Sequence, residues 1–136
     1  MGVNVHAAAK EEKGIVENLM QCYLHDFSEF EDLPIRDDGT FEYEYLNHYW
    51  QDPNRYPFLI RLDERLSGFA LLRFDVAMPV KTGQMDLAEF FIVRSYRRRG
   101  VGTEAARQLW DLFPGHWSVR VLQSNKPAYP FWKQAI

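Results

Sequence analysis

Residues 97–103 read Arg-Arg-Arg-Gly-Val-Gly-Thr, placing three guanidiniums, two glycines and a hydroxyl side by side. These residue types suit a phosphate. Guanidinium groups grip phosphate oxygens bidentately, and glycine, lacking a Cβ, lets the backbone come close to a ligand. The residues that follow read as a helix. Its first amides have no intrahelical acceptor and carry partial positive charge, which makes them a ready anion site. Two common phosphate motifs do not fit: G-x-G-x-x-G fails at Ala105, and no Gly-Lys-Ser/Thr of a P-loop follows. From these residues alone, a phosphate socket and a solvated basic turn both remain open.

Just upstream, Glu89 lies in the apolar run Met85–Val93, whose β-rich composition predicts a strand. Alternation puts Glu89 on one face with Leu87, Phe91 and Val93. A carboxylate among such neighbours has a raised pKa, as a general base requires. The other reading is a strand-end glutamate paired to an arginine or facing solvent. Covalent catalysis has no support, because no serine has a G-x-S-x-G context and Cys22, the single cysteine, lies in an apolar helical pattern that reads as core. The four histidines show no metal-ligand spacing, so no metal is expected.

These residues need a scaffold, and the hydrophobic pattern supplies one. Lys10–Phe27 carries Ile15, Leu19, Cys22 and Tyr23 at helical spacing. A turn-rich stretch with Pro34 and Gly39 follows, then a candidate short helix over 41–50 that Asp52-Pro53-Asn54 ends. Strands are predicted over 56–62 and 66–74, joined by a turn at Asp63-Glu64, with a third over 85–93. A helix starting near Gly102 or Thr103 is stopped by Pro114-Gly115. A strand over 116–122 and a helix after Pro127 complete the chain. The order predicts one mixed α/β (α+β) domain over residues 1–136.

Composition narrows the function classes. With 46% hydrophobic residues in 136, the chain can enclose a real core. No apolar run approaches the ~20 residues of a membrane helix, and the N-terminus lacks the order of a signal peptide, so a cytoplasmic protein without membrane partners is expected. A net charge of −3 argues against a nucleic-acid partner, although the charge is unevenly placed. Between Asp26 and Glu44, eight carboxylates accompany Arg36 alone, and aromatic residues are interleaved with them. Carboxylates beside aromatic faces suit an ammonium-bearing ligand, and an ordinary amphipathic surface is the competing reading.

Arg97-x-x-Gly100-x-Gly102, set between a strand and an amphipathic helix, resembles the [QR]-x-x-G-x-[GA] motif of the GNAT superfamily of acyl-CoA-dependent N-acyltransferases. Downstream, Asn125-Lys-Pro-Ala128-Tyr-Pro-Phe131-Trp resembles the N-x-x-A-x-x-F-Y element that opens that family's last helix. The element order also matches, so the resemblance spans nearly the whole chain. It implies a GNAT-like mixed central sheet flanked by helices. It also implies an acetyl-CoA-dependent N-acetyltransferase, acting on a primary amine of a small-molecule or peptide acceptor by direct attack in a ternary complex. Carried over by position, Arg97, Arg98, Arg99, Gly100, Val101, Gly102 and Thr103 would hold the coenzyme A pyrophosphate. Main-chain groups of Ile92 and Val93 would hold the pantetheine arm, one amide acting as an oxyanion donor, and Asn125 would reach the coenzyme from the last helix.

Two departures from the family pattern stand out. Family members often carry a tyrosine seven residues after the asparagine, where this chain has Trp132, whose indole N–H is no useful acid. Tyr129, one turn earlier, either substitutes as the acid or packs against Phe131. Without an acid, the alternative is a non-catalytic acyl-CoA-binding sensor or interaction module. Secondly, the chain reaches Ile136 within or just after its last helix, where the family continues into one or two further strands. The resemblance thus implies a sheet lacking the usual last strand or strands, and an uncovered edge invites a homodimer.

Overall fold

The computed structural model describes residues 2–44, 46–76, 83–115 and 117–119. A five-stranded sheet runs in the order β1 (Val3–Ala7), β2 (Arg55–Leu62), β3 (Arg65–Val76), β4 (Gly83–Ile92) and β5 (Trp117–Val119). The first four strands are antiparallel neighbours, and β5 pairs with β4 in parallel, so the sheet is mixed. Helix α1 (Lys13–Phe27) covers one face and α2 (Val101–Leu112) the other.

The faces follow from alternation. Leu59, Phe69, Leu71 and Phe91 pack with Val16, Met20 and Leu24 of α1. On the reverse side, Phe58, Ala70, Leu72 and Leu87 meet Ala106 and Leu109 of α2, and Ile60, Leu62 and Ile92 meet Val101 and Ala105. Thus α1 buries positions 16, 20 and 24, four residues apart, with Ile15, Leu19 and Tyr23 partly covered beside them. Cys22 lies on the opposite side of that stripe and is exposed, contrary to the core position expected for it.

Strand β1 escapes the sequence reading. Its five residues, Val-Asn-Val-His-Ala, sit at the edge, paired from Val3↔Leu62 to Ala7↔Phe58. Half-exposed and short, it carries little apolar signal. Gln108 of α2 secures it by donating to the Val3 carbonyl at 2.8 Å and accepting from the Val5 amide at 3.1 Å.

Pro57 inside β2 has a specific accommodation. The Ala8 amide donates to its carbonyl at 2.9 Å, and an ordinary residue 57 would return a bond to the Ala8 carbonyl. Proline has no N–H, and the Trp50 indole supplies the donor to that carbonyl at 3.3 Å. The helix expected over 41–50 contracts to a 3-10 turn, Leu46–Trp50, whose job is to bury Leu46 and Tyr49.

The Asp63-Glu64 turn is as expected, and both residues have positive φ, 48° and 71°. Helix α2 begins at Val101, slightly before the expected start. The Trp117 indole donates to the Phe113 carbonyl at 2.7 Å just past its end. The expected helix after Pro127, with Asn125, Tyr129 and Trp132, and the expected sheet edge beyond it all lie outside the described residues.

Candidate active site

Strand β4 changes phase at its middle. It pairs with β3 as Leu71↔Glu89 and then Leu72↔Leu87, leaving Ala88 as an extra residue. Such a bulge bends the strand and re-aims the side chains on either side of it. Leu87 consequently faces α2, whereas Phe91 and the partly buried Val93 pack on the α1 side. Glu89 shares the α1 side with Phe91 and Val93, as expected, but not with Leu87. Strict alternation fails because it assumes an unbroken ladder.

Nor are the neighbours of Glu89 simply apolar. The Tyr23 hydroxyl on α1 donates to Glu89 Oε1 at 3.0 Å. Tyr43, in the connection after α1, is also hydrogen-bonded to Glu89 and to Tyr49. Burial first, then the neighbouring carboxylate, pushes the Tyr23 phenol above its ordinary range, and the same two causes act on Tyr43. Both are therefore neutral donors at working pH. Tyr49 lies under the Arg55 guanidinium at 5.2 Å and within the electrostatic reach of Arg73. Arg73 itself pairs with the buried Asp86 of β4 at 3.1 Å. Glu89 thus belongs to a polar cluster beneath α1. The sequence reading missed the tyrosines' part in it, and its only available signal was a hydroxyl on an otherwise apolar helical stripe.

On one side of β4, the described residues of β5, Trp117–Val119, pair in parallel with Met85, Asp86 and Leu87. Gly68 of β3 holds the other side close, since a Cβ there would sit 2.0 Å from the Phe91 carbonyl oxygen. Next to it, the Val93 amide donates to the Ser67 carbonyl at 2.8 Å. Hydrogen-bonding direction alternates along a strand, so the Ile92 amide and carbonyl point away from β3. The Val93 amide is satisfied within the sheet.

After Ile92 the chain makes a 3-10 turn, Arg94–Tyr96, and then the arginine run. Arg97 points back toward the sheet. Its Nε donates to the Ile92 carbonyl and its Nη2 to Asp26, each at 2.7 Å, and its guanidinium stacks 5.5 Å from the Phe91 ring. Arg94 joins it on Asp26, also at 2.7 Å. These contacts tie the loop to the end of α1.

Arg98 and Arg99 are exposed, and Arg99 lies 5.9 Å from the Tyr96 ring. Positive φ at Arg98 (63°) and Gly100 (78°) turns the backbone sharply into α2. Gly100 caps α2 with no side-chain hydrogen bond, and the first intrahelical amide is that of Glu104, donating to the Gly100 carbonyl at 3.1 Å. The amides of Val101, Gly102 and Thr103 are the helix's unpartnered first-turn donors. Amides, two exposed guanidiniums and the Thr103 hydroxyl thus gather where the chain turns from β4 into α2. As a donor set they fit a pyrophosphate.

The acidic stretch forms the connection between α1 and β2. Gln21 fixes it to α1, donating to the Phe41 carbonyl at 2.9 Å and accepting from the Phe41 amide at 2.7 Å. Phe41, Tyr43, Tyr49 and Trp50 pack on the α1-side core, so for them the reading as ordinary core aromatics holds. Glu29, Glu31, Asp32, Asp37, Glu42 and Glu44 are exposed. Among the described residues no cluster of three or more His, Cys, Asp or Glu could hold a metal ion, and no helix is long and apolar enough to cross a membrane.

Comparison with known proteins is consistent with this geometry. The family model for the acetyltransferase (GNAT) family matches residues 14–135. No curated protein matches the sequence. Among solved structures, the aminoglycoside acetyltransferase meta-AAC0020 from an uncultured soil metagenomic sample, in complex with trehalose, superposes with a TM-score of 0.72 at 15% identity, covering 98% of this chain and 86% of its own. The ribosomal-protein-alanine N-acetyltransferase of Brucella melitensis biovar Abortus 2308 gives 0.69 at 13% identity, covering 98% and 90%. A predicted acetyltransferase from Clostridium acetobutylicum, with acetyl-CoA, gives 0.70 at 12% identity, covering 96% and 88%. At these identities the likeness is one of fold.

Proposed function

We propose, starting from the fact that this chain belongs to the acetyltransferase (GNAT) family, that it transfers an acetyl group from acetyl-CoA to a primary amine of a cationic small molecule or peptide. The observation that carries this reading is the open first turn of α2, reached by a sharp turn soon after β4, with exposed Arg98 and Arg99 beside it and Glu89 on that strand. Acetyl-CoA supplies the activated acyl group. Arg98, Arg99 and the amides of Val101, Gly102 and Thr103 hold its pyrophosphate, and the Ile92 amide faces the thioester region as an oxyanion donor. Glu89 accepts the proton that the acceptor's ammonium must lose before nitrogen can attack.

The acceptor side is supported by charge. The exposed carboxylates of the α1–β2 connection favour an ammonium-bearing molecule. Structural neighbours include an aminoglycoside acetyltransferase solved with sisomicin and an enzyme named for ribosomal-protein alanine, one small-molecule and one peptide acceptor class.

The test is calorimetry of acetyl-CoA on the wild type and on Gly102→Asp, followed by free-thiol release with sisomicin and with an alanine-ended peptide. Gly102 lies inside α2, so the variant adds charge without the positive-φ strain that any substitution at Gly100 would bring. An aspartate in the first turn also suits the helix itself. Binding at least about tenfold weaker, equivalent to ~1.4 kcal/mol, is the expected result. No binding by a folded wild type would remove the phosphate socket. Binding without thiol release would instead favour a non-catalytic acyl-CoA sensor.

A further inference from the structure

We propose that Tyr23 is a positioning residue for Glu89, fixing the carboxylate so that its remaining lone pairs meet the acceptor amine. The inference rests on the acetyltransferase reading, in which Glu89 takes the acceptor's proton. Three observations carry it. The Tyr23 hydroxyl donates to Glu89 Oε1 at 3.0 Å from a different element, 66 residues away in the chain. The Tyr23 ring is held edge-on by Phe69 and Phe91, at 5.7 and 5.8 Å, and stacks tilted on Phe27 at 5.8 Å. A donor whose ring is packed on three sides points its hydroxyl in one direction. Tyr43 contacts the same carboxylate from the α1–β2 connection, so the group is held from two elements at once.

The arrangement answers a chemical need. A glutamate on a strand has several side-chain rotamers, and a base is useful only within hydrogen-bond reach of the proton it removes. Phenol donors on the ionised carboxylate stabilise the form able to accept that proton. Tyr23 itself is no proton source, because burial and the adjacent carboxylate keep its proton in place. Among the described residues, the charged and titratable groups around the carboxylate include Tyr23 from α1, Tyr43 and Tyr49 from the connection, and, around Tyr49, Arg55 of β2 and Arg73 of β3, the latter paired with Asp86.

Tyr23→Phe removes the hydroxyl and keeps the ring, so the packing survives. Carboxyl-carbon NMR of the full chain follows the titration of Glu89, whose resonance is assigned by its loss in Glu89→Gln. The expected result is a titration midpoint moved to higher pH by about half to one unit, the effect of one lost hydrogen bond. Acetyl transfer to sisomicin is expected to show its acidic limb displaced the same way, with kcat about 3- to 10-fold lower and KM for acetyl-CoA unchanged. An unmoved midpoint in folded Tyr23→Phe overturns the proposal. Wild-type transfer by Glu89→Gln overturns the base reading and takes this proposal with it. A slow Glu89→Gln beside an unaffected Tyr23→Phe removes the positioning role alone.

Discussion

Asp26 and Arg97 meet at 2.7 Å, joining the last turn of α1 to the first residue of the arginine run that leads into α2. The same guanidinium closes on the Ile92 carbonyl, so one side chain fixes the end of β4, the loop and α1 together. The three arginines therefore differ in placement: Arg97 ties down the loop, and Arg98 and Arg99 face solvent, where the proposed function has them meet the pyrophosphate. Arg98→Ala and Arg99→Ala are each expected to weaken acetyl-CoA binding about 3- to 10-fold, with the thermal midpoint nearly unchanged. Arg97→Ala is expected to lower the thermal midpoint as well, because the Ile92 carbonyl loses the guanidinium donor and Asp26 keeps only Arg94. Calorimetry beside thermal denaturation of the three variants separates the roles. Equal loss of affinity with no loss of stability in all three would show Arg97 to be a direct ligand instead.

The acid side of the stability curve reads out the same contact. Burial alone would raise the Asp26 carboxyl, but the hydrogen bonds from Arg94 and Arg97 outweigh it and hold the group below the usual carboxylate range. A lowered native pKa contributes stability that is fully present above the unfolded value and disappears as pH falls through the native one. Wild type is therefore expected to exceed Asp26→Asn in urea stability near neutral pH, and the difference is expected to shrink progressively below pH 4. Both arginines are substantially exposed, so the neutral-pH difference is about 0.5–1 kcal/mol rather than that of a buried pair. A constant difference down to pH 2 would assign the effect to something other than this ionisation.

Gly68 makes a strand-level demand. Its missing Cβ leaves room for the Phe91 carbonyl, which an added methyl would meet at 2.0 Å, and the obstacle is backbone rather than a movable side chain. Gly68→Ala is expected to destabilise the protein by about 3 kcal/mol or more, measured by urea unfolding, because β3 and β4 must separate near the end of β4. Soluble, wild-type-like unfolding of this variant would contradict the close approach of the two strands.

How much of this was legible beforehand depended on pattern length. The long apolar runs that become β2, β3 and β4 and the amphipathic α1 and α2 were readable because burial imposes their period. The Arg97–Thr103 run was readable as a turn into a helix because glycines and the helix start coincide in one stretch. Edge strand β1 was not, having one weakly buried face and only five residues. The bulge at Ala88 was equally hidden, since nothing local marks an extra residue, yet it puts Leu87 on the opposite face from Glu89. Long-range partners were hidden too. Asp26 read as one acidic residue among eight, and only the fold brings it to Arg97. Tyr23 read as a helix-stripe residue, and only α1 lying across β4 turns its hydroxyl onto Glu89.

The β2–β3 hairpin offers a gain in stability. Asp63 and Glu64 both adopt positive φ, the signature of a tight two-residue turn whose preferred residues are asparagine and glycine. For a residue with a Cβ this conformation costs roughly 1 kcal/mol. The Asp63 carboxylate offsets part of that by accepting from the Gly2 amide at 2.9 Å, a bond that an asparagine Oδ1 can also accept. The Asp63→Asn, Glu64→Gly double variant is therefore expected to keep the β1 anchor and relieve the turn. An increase of about 1 kcal/mol in unfolding free energy is expected, a few degrees in thermal midpoint for a chain of this size. The turn lies in a connection that none of the proposed site residues contacts through any described hydrogen bond, so acetyl-CoA binding is expected to be unchanged. A loss of stability in the double variant would mean that the Glu64 side chain contributes more than its backbone strain costs.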